Sequence, residues 1–224
     1  MSGIWGKNLE LSIFGESHGR AIGVTINGLP SGLEIDMDAV MIEMARRAPG
    51  QNELTTPRKE KDEPDIVSGL LDGKTTGAPL TALIWNTNTR SKDYSQMKRL
   101  MRPGQADYPG KVRYDGHNDY RGSGHFSGRI TAPLVFAGAI AQQWLEQKGI
   151  VVGSHVQSIG TVEDTRFDDQ KNVTVAQIAA MKREQLPVFD AAKKDEMHQV
   201  IVDAKEDKDS VGGIVETFVL GIDA

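Results

Sequence analysis

The stretch that most limits how this chain can fold is "TAPLVFAGAIAQQWLEQKG", residues 131–149. Over its first turns it is apolar on nearly all sides, and a helix with no polar face has to be covered from more than one direction. The sequence therefore predicts a helix sandwiched in a core, with Gly149 as its C-terminal stop and Pro133 at its first helical position behind a cap at Thr131 or Ala132. The other elements must supply the covering layers. "LELSIF" (9–14), "AIGVTING" (21–28), "PLTALIW" (79–85), "IVVGSHVQSIG" (150–160) and "GGIVETFVLGI" near the end read as strands. "IDMDAVMIEMARRAPG" reads as a helix capped by Asp36 or Asp38, with Val40, Met41, Met44 and Ala45 on its apolar stripe and Pro49-Gly50 as its stop. Two further helices are expected near 174–184 and 190–205, capped by Thr174 and Asp190. Strands and helices come in mixed order with hairpin-like pairs, so the expected fold class is α+β.

Length and charge narrow the function classes. A chain of 224 residues can bury a substantial core. With 26 basic and 31 acidic side chains its formal charge is −5, which offers no global field for a nucleic acid or an anionic membrane surface. An anionic ligand would have to be met by local cations. The chain has no cysteine, which removes disulfides and thiol chemistry. The first residues lack a signal-peptide layout, and a cytoplasmic location is expected. No His, Asp or Glu spacing suggests a metal site.

The segment 86–129 is rich in Gly, Pro, Arg and Asp and carries little periodicity, yet it holds Tyr94, Tyr108, Tyr114 and Tyr120. A connection this long is usually functional or disordered, and aromatics argue for the former. It reads as an ordered functional loop region. Arg47 closes the first helix, Arg102 precedes Pro103-Gly104, and Arg129 follows "GSGHFSG". Guanidinium forks of this kind suit phosphate and carboxylate, although any one of them also reads as helix-end or surface charge. "IFGESHG" (13–19) places Glu16, Ser17 and His18 between two glycines at a strand end. Glycine flanks allow close approach of a ligand, and His is the side chain that titrates near neutrality. His18 is thus a candidate acid or base.

These stretches together resemble the chorismate synthase family. The resemblance is carried by "WGKNLELSIFGESHG", "GLPSGLEID", "RRAPG", "GKTTGAPLTALIWNTNTRSKDYS", "RPGQADY", "DYRGSGHFSGRITA" and "DSVGG". It implies 1,4-elimination of phosphate from 5-enolpyruvylshikimate 3-phosphate to give chorismate, a reduced FMN cofactor with NADPH as a flavin reductant, and a homotetramer. It further implies helices between antiparallel sheets, in one domain that here lacks its C-terminal part, and weak or absent activity for the chain alone. His18 corresponds to the family's proton donor near the departing phosphate, with Ser127 beside it in the catalytic set. Arg47, Arg102 and Arg129 correspond to substrate-binding arginines, and Ser17, His125, Phe126 and Ser127 to flavin contacts. Three positions depart from the family pattern. Gln105 stands where a histidine handles protons at the flavin, His125 stands at an arginine position, and Glu53 stands where arginine is frequent. His125 is expected to offset in part the imidazole missing at 105. The alternative is a non-catalytic form that only binds an anionic metabolite or partner.

Overall fold

The computed structural model describes residues 3–50, 60–87, 94, 96–170 and 172–222. Glu53 lies outside them. They divide into two compact units, Met1–Gln143 and Trp144–Ala224.

The first unit is built on a five-stranded sheet in the order β1-β2-β3-β7-β4. Its strands are β1 (Ile4–Trp5), β2 (Glu10–Gly15), β3 (Ala21–Asn27), β4 (Pro64–Ser68) and β7 (Leu80–Trp85), paired antiparallel throughout. A small hairpin, β5 (Leu70–Leu71) with β6 (Lys74–Thr75), lies between β4 and β7 in the chain. The central register sets Ile22 against Ile84, Val24 against Ala82 and Ile26 against Leu80. These six side chains are all buried. Alternation along both strands puts them on one face, and each full burial of a large aliphatic group is worth about 1.5–3 kcal/mol.

Helix α1 (Met37–Arg47) starts where the Asp36 carboxylate accepts from the main-chain N–H of Asp38 and Ala39, at 2.9 and 3.1 Å. It buries Val40 and Met44, one turn apart. Ala45, expected on the same stripe, is exposed. Helix α3 (Thr131–Glu146) buries Ala132, Pro133, Phe136, Ala137, Ala139 and Ile140 and leaves Thr131, Leu134 and Gly138 exposed. Burial on every side is therefore corrected to burial of one broad face. Pro133 is not the first helical residue either. A 3₁₀ turn at Gly128–Ile130, capped by the Ser127 hydroxyl, runs directly into the helix and moves its start to Thr131. Pro133 still falls in the first turn, where a missing N–H costs nothing. The Gln143 amide exchanges two hydrogen bonds with the main chain of Asp36, at 2.8 and 2.9 Å, and so ties α3 to the head of α1.

The segment 86–129 contains a helix that the sequence pattern did not reveal, α2 (Asp107–Arg113), and an irregular 3₁₀ stretch at Arg121–Phe126. Within that stretch Gly122, Ser123 and Gly124 all have positive φ.

In the second unit β8 (Val151–Ile159) lies between β9 (Val162–Glu163) and β10 (Gly213–Leu220), again antiparallel. Helix α4 (Val175–Met181) has a full capping box, Thr174 with Gln177. Helix α5 (Lys193–Glu206) starts later than Asp190. The Asp190 side chain instead accepts from Ala192 N–H at 2.9 Å, while its own N–H is held by Asp164 at 2.9 Å.

Candidate functional site

Residues Glu16 to Arg20 form the connection between the antiparallel strands β2 and β3. Gly15-Glu16-Ser17-His18-Gly19 has the G-x-S-x-G spacing of a hydrolase nucleophile elbow, but that device needs a strand-to-helix turn. Here the segment is a hairpin loop held from outside. Asn86, just beyond β7, donates through Nδ2 to Glu16 O at 3.0 Å and to Gly19 O at 2.9 Å, and its N–H donates to Arg20 O at 3.0 Å. Ser17 N–H donates to Gly124 O at 3.0 Å. Gly122 has φ +56, and a Cβ there would stand 2.4 Å from His18 Cε1 and 2.5 Å from His18 Nδ1. Only glycine allows the 120s segment to lie against the imidazole.

His18 lines a cavity of about 430 Å³. Arg47, Arg102 and Arg129 line the same cavity, together with Ser17, Ser127, Gln105 and Tyr94. His18 and the three arginines therefore share one cavity. Tyr94 meets the His18 ring edge-on, with centroids 4.8 Å apart, and its face lies 5.8 Å from the Arg102 guanidinium.

Each arginine is held by acceptors. Arg102 makes a two-toothed pair with Asp107, Nε to Oδ2 at 2.9 Å and Nη2 to Oδ1 at 3.0 Å, and Nη2 also donates to Ser123 Oγ at 2.7 Å. Its hydrogen bonds hold the Asp107 carboxyl below the usual carboxylate range. Asp107 in turn raises the Arg102 guanidinium above its ordinary value. Arg47 and Arg129 share one buried carboxylate. Arg47 Nη1 pairs with Asp62 Oδ2, and Arg129 Nη1 pairs with Asp62 Oδ1. Arg129 Nε donates to Asn86 Oδ1 at 3.0 Å, and only 5% of the residue is exposed. Its Nη2 has no hydrogen-bond partner among the described residues. A buried guanidinium N–H left unmet is costly, and Arg129 is one of the residues that line the cavity.

A second cavity, of about 900 Å³, lies on the Glu16 side of the same hairpin. His125 and Phe126 line it, along with Glu16, Asp119 and Tyr114. His125 Nδ1 lies 2.9 Å from Gly15 O, which makes that nitrogen the donor. Burial, and then the charge of Asp119, push the Glu16 carboxyl above its usual range. Burial pushes Asp119 up as well, but hydrogen bonds from Arg121 outweigh it and leave that group below the usual range. The four residues expected at a flavin thus divide: Ser17 and Ser127 face the arginine cavity, His125 and Phe126 the other. Gln105 and His125 likewise stand in different cavities.

Sequence reasoning missed Asp62, Asn86, Asp107 and Ser123, all of which fix the arginines. Asp62 sits in the charged run "RKEKDEPD", where nothing separates it from solvated neighbours. Asp107 was the more legible, lying five residues after Arg102 in "RPGQADY". Among the described residues no cluster suits a metal ion, and no helix is long and apolar enough to cross a membrane.

Comparison with known proteins supplies the lineage. The family profile described as chorismate synthase matches residues 9–224. A chorismate synthase from Thermococcus gammatolerans is 42% identical over 219 residues, covering 98% of this chain and 59% of that protein. One from Dehalococcoides mccartyi is 40% identical over 225 residues, covering 99% and 60%. The chain thus spans about three-fifths of the length of these relatives. A crystal structure of chorismate synthase superimposes with a TM-score of 0.73 at 28% identity, over 96% of this chain and 58% of that one. With a profile match over nearly its whole length, this chain belongs to the chorismate synthase family.

Proposed function

We propose that this chain carries the substrate-binding half of a lyase that eliminates phosphate from 5-enolpyruvylshikimate 3-phosphate to form chorismate. The observation that carries the reading is that His18, Arg47, Arg102 and Arg129 line one cavity. The substrate bears a phosphate and two carboxylates. Three rigid guanidiniums in a chain of net charge −5 concentrate the positive potential where such a molecule would sit. Departure of phosphate develops negative charge on the bridging oxygen. Arginine and a protonated His18 stabilise that charge, and His18 delivers the proton to the leaving group.

Reduced FMN, with NADPH as reductant, is the cofactor of this proposal, and it supplies electron donation and acceptance of the substrate proton. In this reading Ser17 and Ser127, which line the arginine cavity, meet it beside the substrate, whereas His125 and Phe126 line the other cavity. A homotetramer and a cytoplasmic location belong to the same proposal and rest on the family resemblance. The binding-only alternative is favoured by Gln105, which lines the arginine cavity and carries no titratable proton.

The test is an anaerobic titration of the chain with reduced FMN, with and without 5-enolpyruvylshikimate 3-phosphate, followed by a chorismate assay. Substrate-enhanced flavin binding supports the lyase. Binding of the substrate with no flavin binding supports the alternative, and binding of neither overturns both.

A further inference from the structure

We infer that Asp62 is a positioning residue, the anchor that sets the spacing of Arg47 and Arg129 toward an oxyanion in the cavity. This rests on the proposed function, because it assigns a task to a residue outside the cavity wall. Asp62 is in effect a bridge turned away from the ligand. Its side chain is wholly buried, and its two oxygens each take one guanidinium. Two forks held by the two oxygens of one carboxylate cannot drift apart, and their separation is set by a rigid group.

The remaining contacts of Arg129 complete the device. Asn86 Oδ1 holds Nε on one side, Asp62 holds Nη1 on the other, and Nη2 has no partner among the described residues. Arg47 is steadied as well: Nε donates to Thr131 Oγ1 at 3.3 Å, and that hydroxyl donates to Gly128 O at 2.6 Å. The charges also fit. The shared carboxylate lies between the two guanidiniums, so they do not face each other as bare cations in a buried place. The backbone is committed to the same end, since Asp62 has φ +54, a conformation that a non-glycine residue adopts at a cost. The same Asn86 carboxamide that holds Arg129 holds the Glu16–Gly19 loop, so the cation pair and the His18 loop share one support.

The positive φ suggests the cleanest variant. Asp62→Gly removes the carboxylate while glycine accepts the backbone geometry without strain. The readout is calorimetric affinity of the 224-residue chain for 5-enolpyruvylshikimate 3-phosphate, with and without added formate. The variant is expected to bind at least about tenfold more weakly, because misplacing fixed charges by a fraction of a bond length forfeits their alignment. Formate, a carboxylate small enough for the vacated place, should return affinity to within about threefold of the parent chain, and chloride at equal ionic strength should not. A merely structural loss would not respond to formate over chloride. Should Asp62→Gly fail to fold, Asp62→Asn serves. It keeps the shape and one acceptor for one arginine while turning an NH₂ toward the other, and the same tenfold loss is expected. Unchanged affinity in the variant that folds, or equal rescue by chloride, would overturn the anchor and leave the proposed function standing. No binding by the parent chain would overturn both.

Discussion

Two ionic networks, one in each unit, are built from the same kinds of groups and end in opposite conditions. Around Arg129 two guanidiniums, Arg47 and Arg129, share the Asp62 carboxylate, and Arg129 Nη2 has no partner among the described residues. Around His155 the network closes on two carboxylates. The imidazole is fully buried on β8, with Nδ1 3.0 Å from Asp164 Oδ2 and Nε2 2.7 Å from Glu216 Oε2. Both nitrogens donate only when the ring is protonated, and the two carboxylates have further donors of their own. Asp164 accepts the N–H groups of Phe189 at 2.6 Å and Asp190 at 2.9 Å, and Glu216 accepts that of Phe167 at 2.7 Å. Phe189 closes over the ring with centroids 4.5 Å apart. The closed network ties strands to loops. The open one, around Arg129, keeps a buried donor that has no partner among the described residues.

Removing the centre of the closed network should have the largest effect. His155→Leu takes the hydrogen-bonding imidazole away from Asp164 and Glu216, and leaving a charged group short of a partner in a buried place costs about 3 kcal/mol. Hydrogen-exchange protection of β8 and β10 amides should collapse, while phosphate affinity at the arginine cavity should change by less than about threefold. If phosphate affinity fell with the protection, the two networks would not be separable in function.

The open network should respond in the opposite sense. Arg129→Met removes the unmet donor and leaves Asp62 with Arg47, and truncation of a buried, hydrogen-bonded charge partner costs about 2–5 kcal/mol. Most of that should appear as lost affinity for 5-enolpyruvylshikimate 3-phosphate, measured by calorimetry, with β8 and β10 protection unchanged. Arg102→Lys is the milder probe. Its side chain is about one-third exposed, so solvent screens part of its charge. Loss of the fork to Asp107 should weaken binding by about fivefold.

The sequence announced the open network's cations but not their supports. Arg47, Arg102 and Arg129 stood out because guanidiniums at element ends and beside glycines have few structural uses, and His18 because two glycines flank it. Asp62 and Asn86 gave no such signal. An aspartate in a charged run reads as solvated, and an asparagine after a strand reads as a turn residue, until pairing of β4 and β7 brings positions 62 and 86 toward Arg129. Local signals carried the elements whose ends are chemically marked: the Asp36 cap of α1, the Thr174–Gln177 box of α4, and the stop at Gly149, which has φ +77. They failed where tertiary contact decided. Helix α2 holds a Pro-Gly pair that reads as a turn, and α5 begins late because Asp164 claims the Asp190 N–H. Nothing local marked His155, whose partners lie 9 and 61 residues away.

Acid titration gives the finest probe of the contrast. Hydrogen bonding from His155, and then from Phe167 N–H, holds the Glu216 carboxyl below its usual range. With the folded-state value below the unfolded one, the unfolded chain binds more protons in that window, and stability rises with pH there. The Glu216 contribution is complete above the ordinary glutamate value of about 4.3 and fades as pH falls through the lower, folded one. Gln at 216 is neutral at every pH, and its single carbonyl oxygen can still accept from His155 and Phe167, so Glu216→Gln should fold yet lose this component. In the parent chain, protection of β8 and β10 amides should hold level down to about pH 5 and then decline, and in the variant the decline should be shallower. Amides of β2 and β3, read in the same spectra, serve as the control, because their unit has its own depressed carboxyls, Asp107 and Asp119, which the substitution leaves alone. Their acid response should be identical in both proteins. Equal slopes for β8 and β10 in parent and variant would mean that Glu216 is not held ionised by His155, and the closed network would then lose one of its two anions.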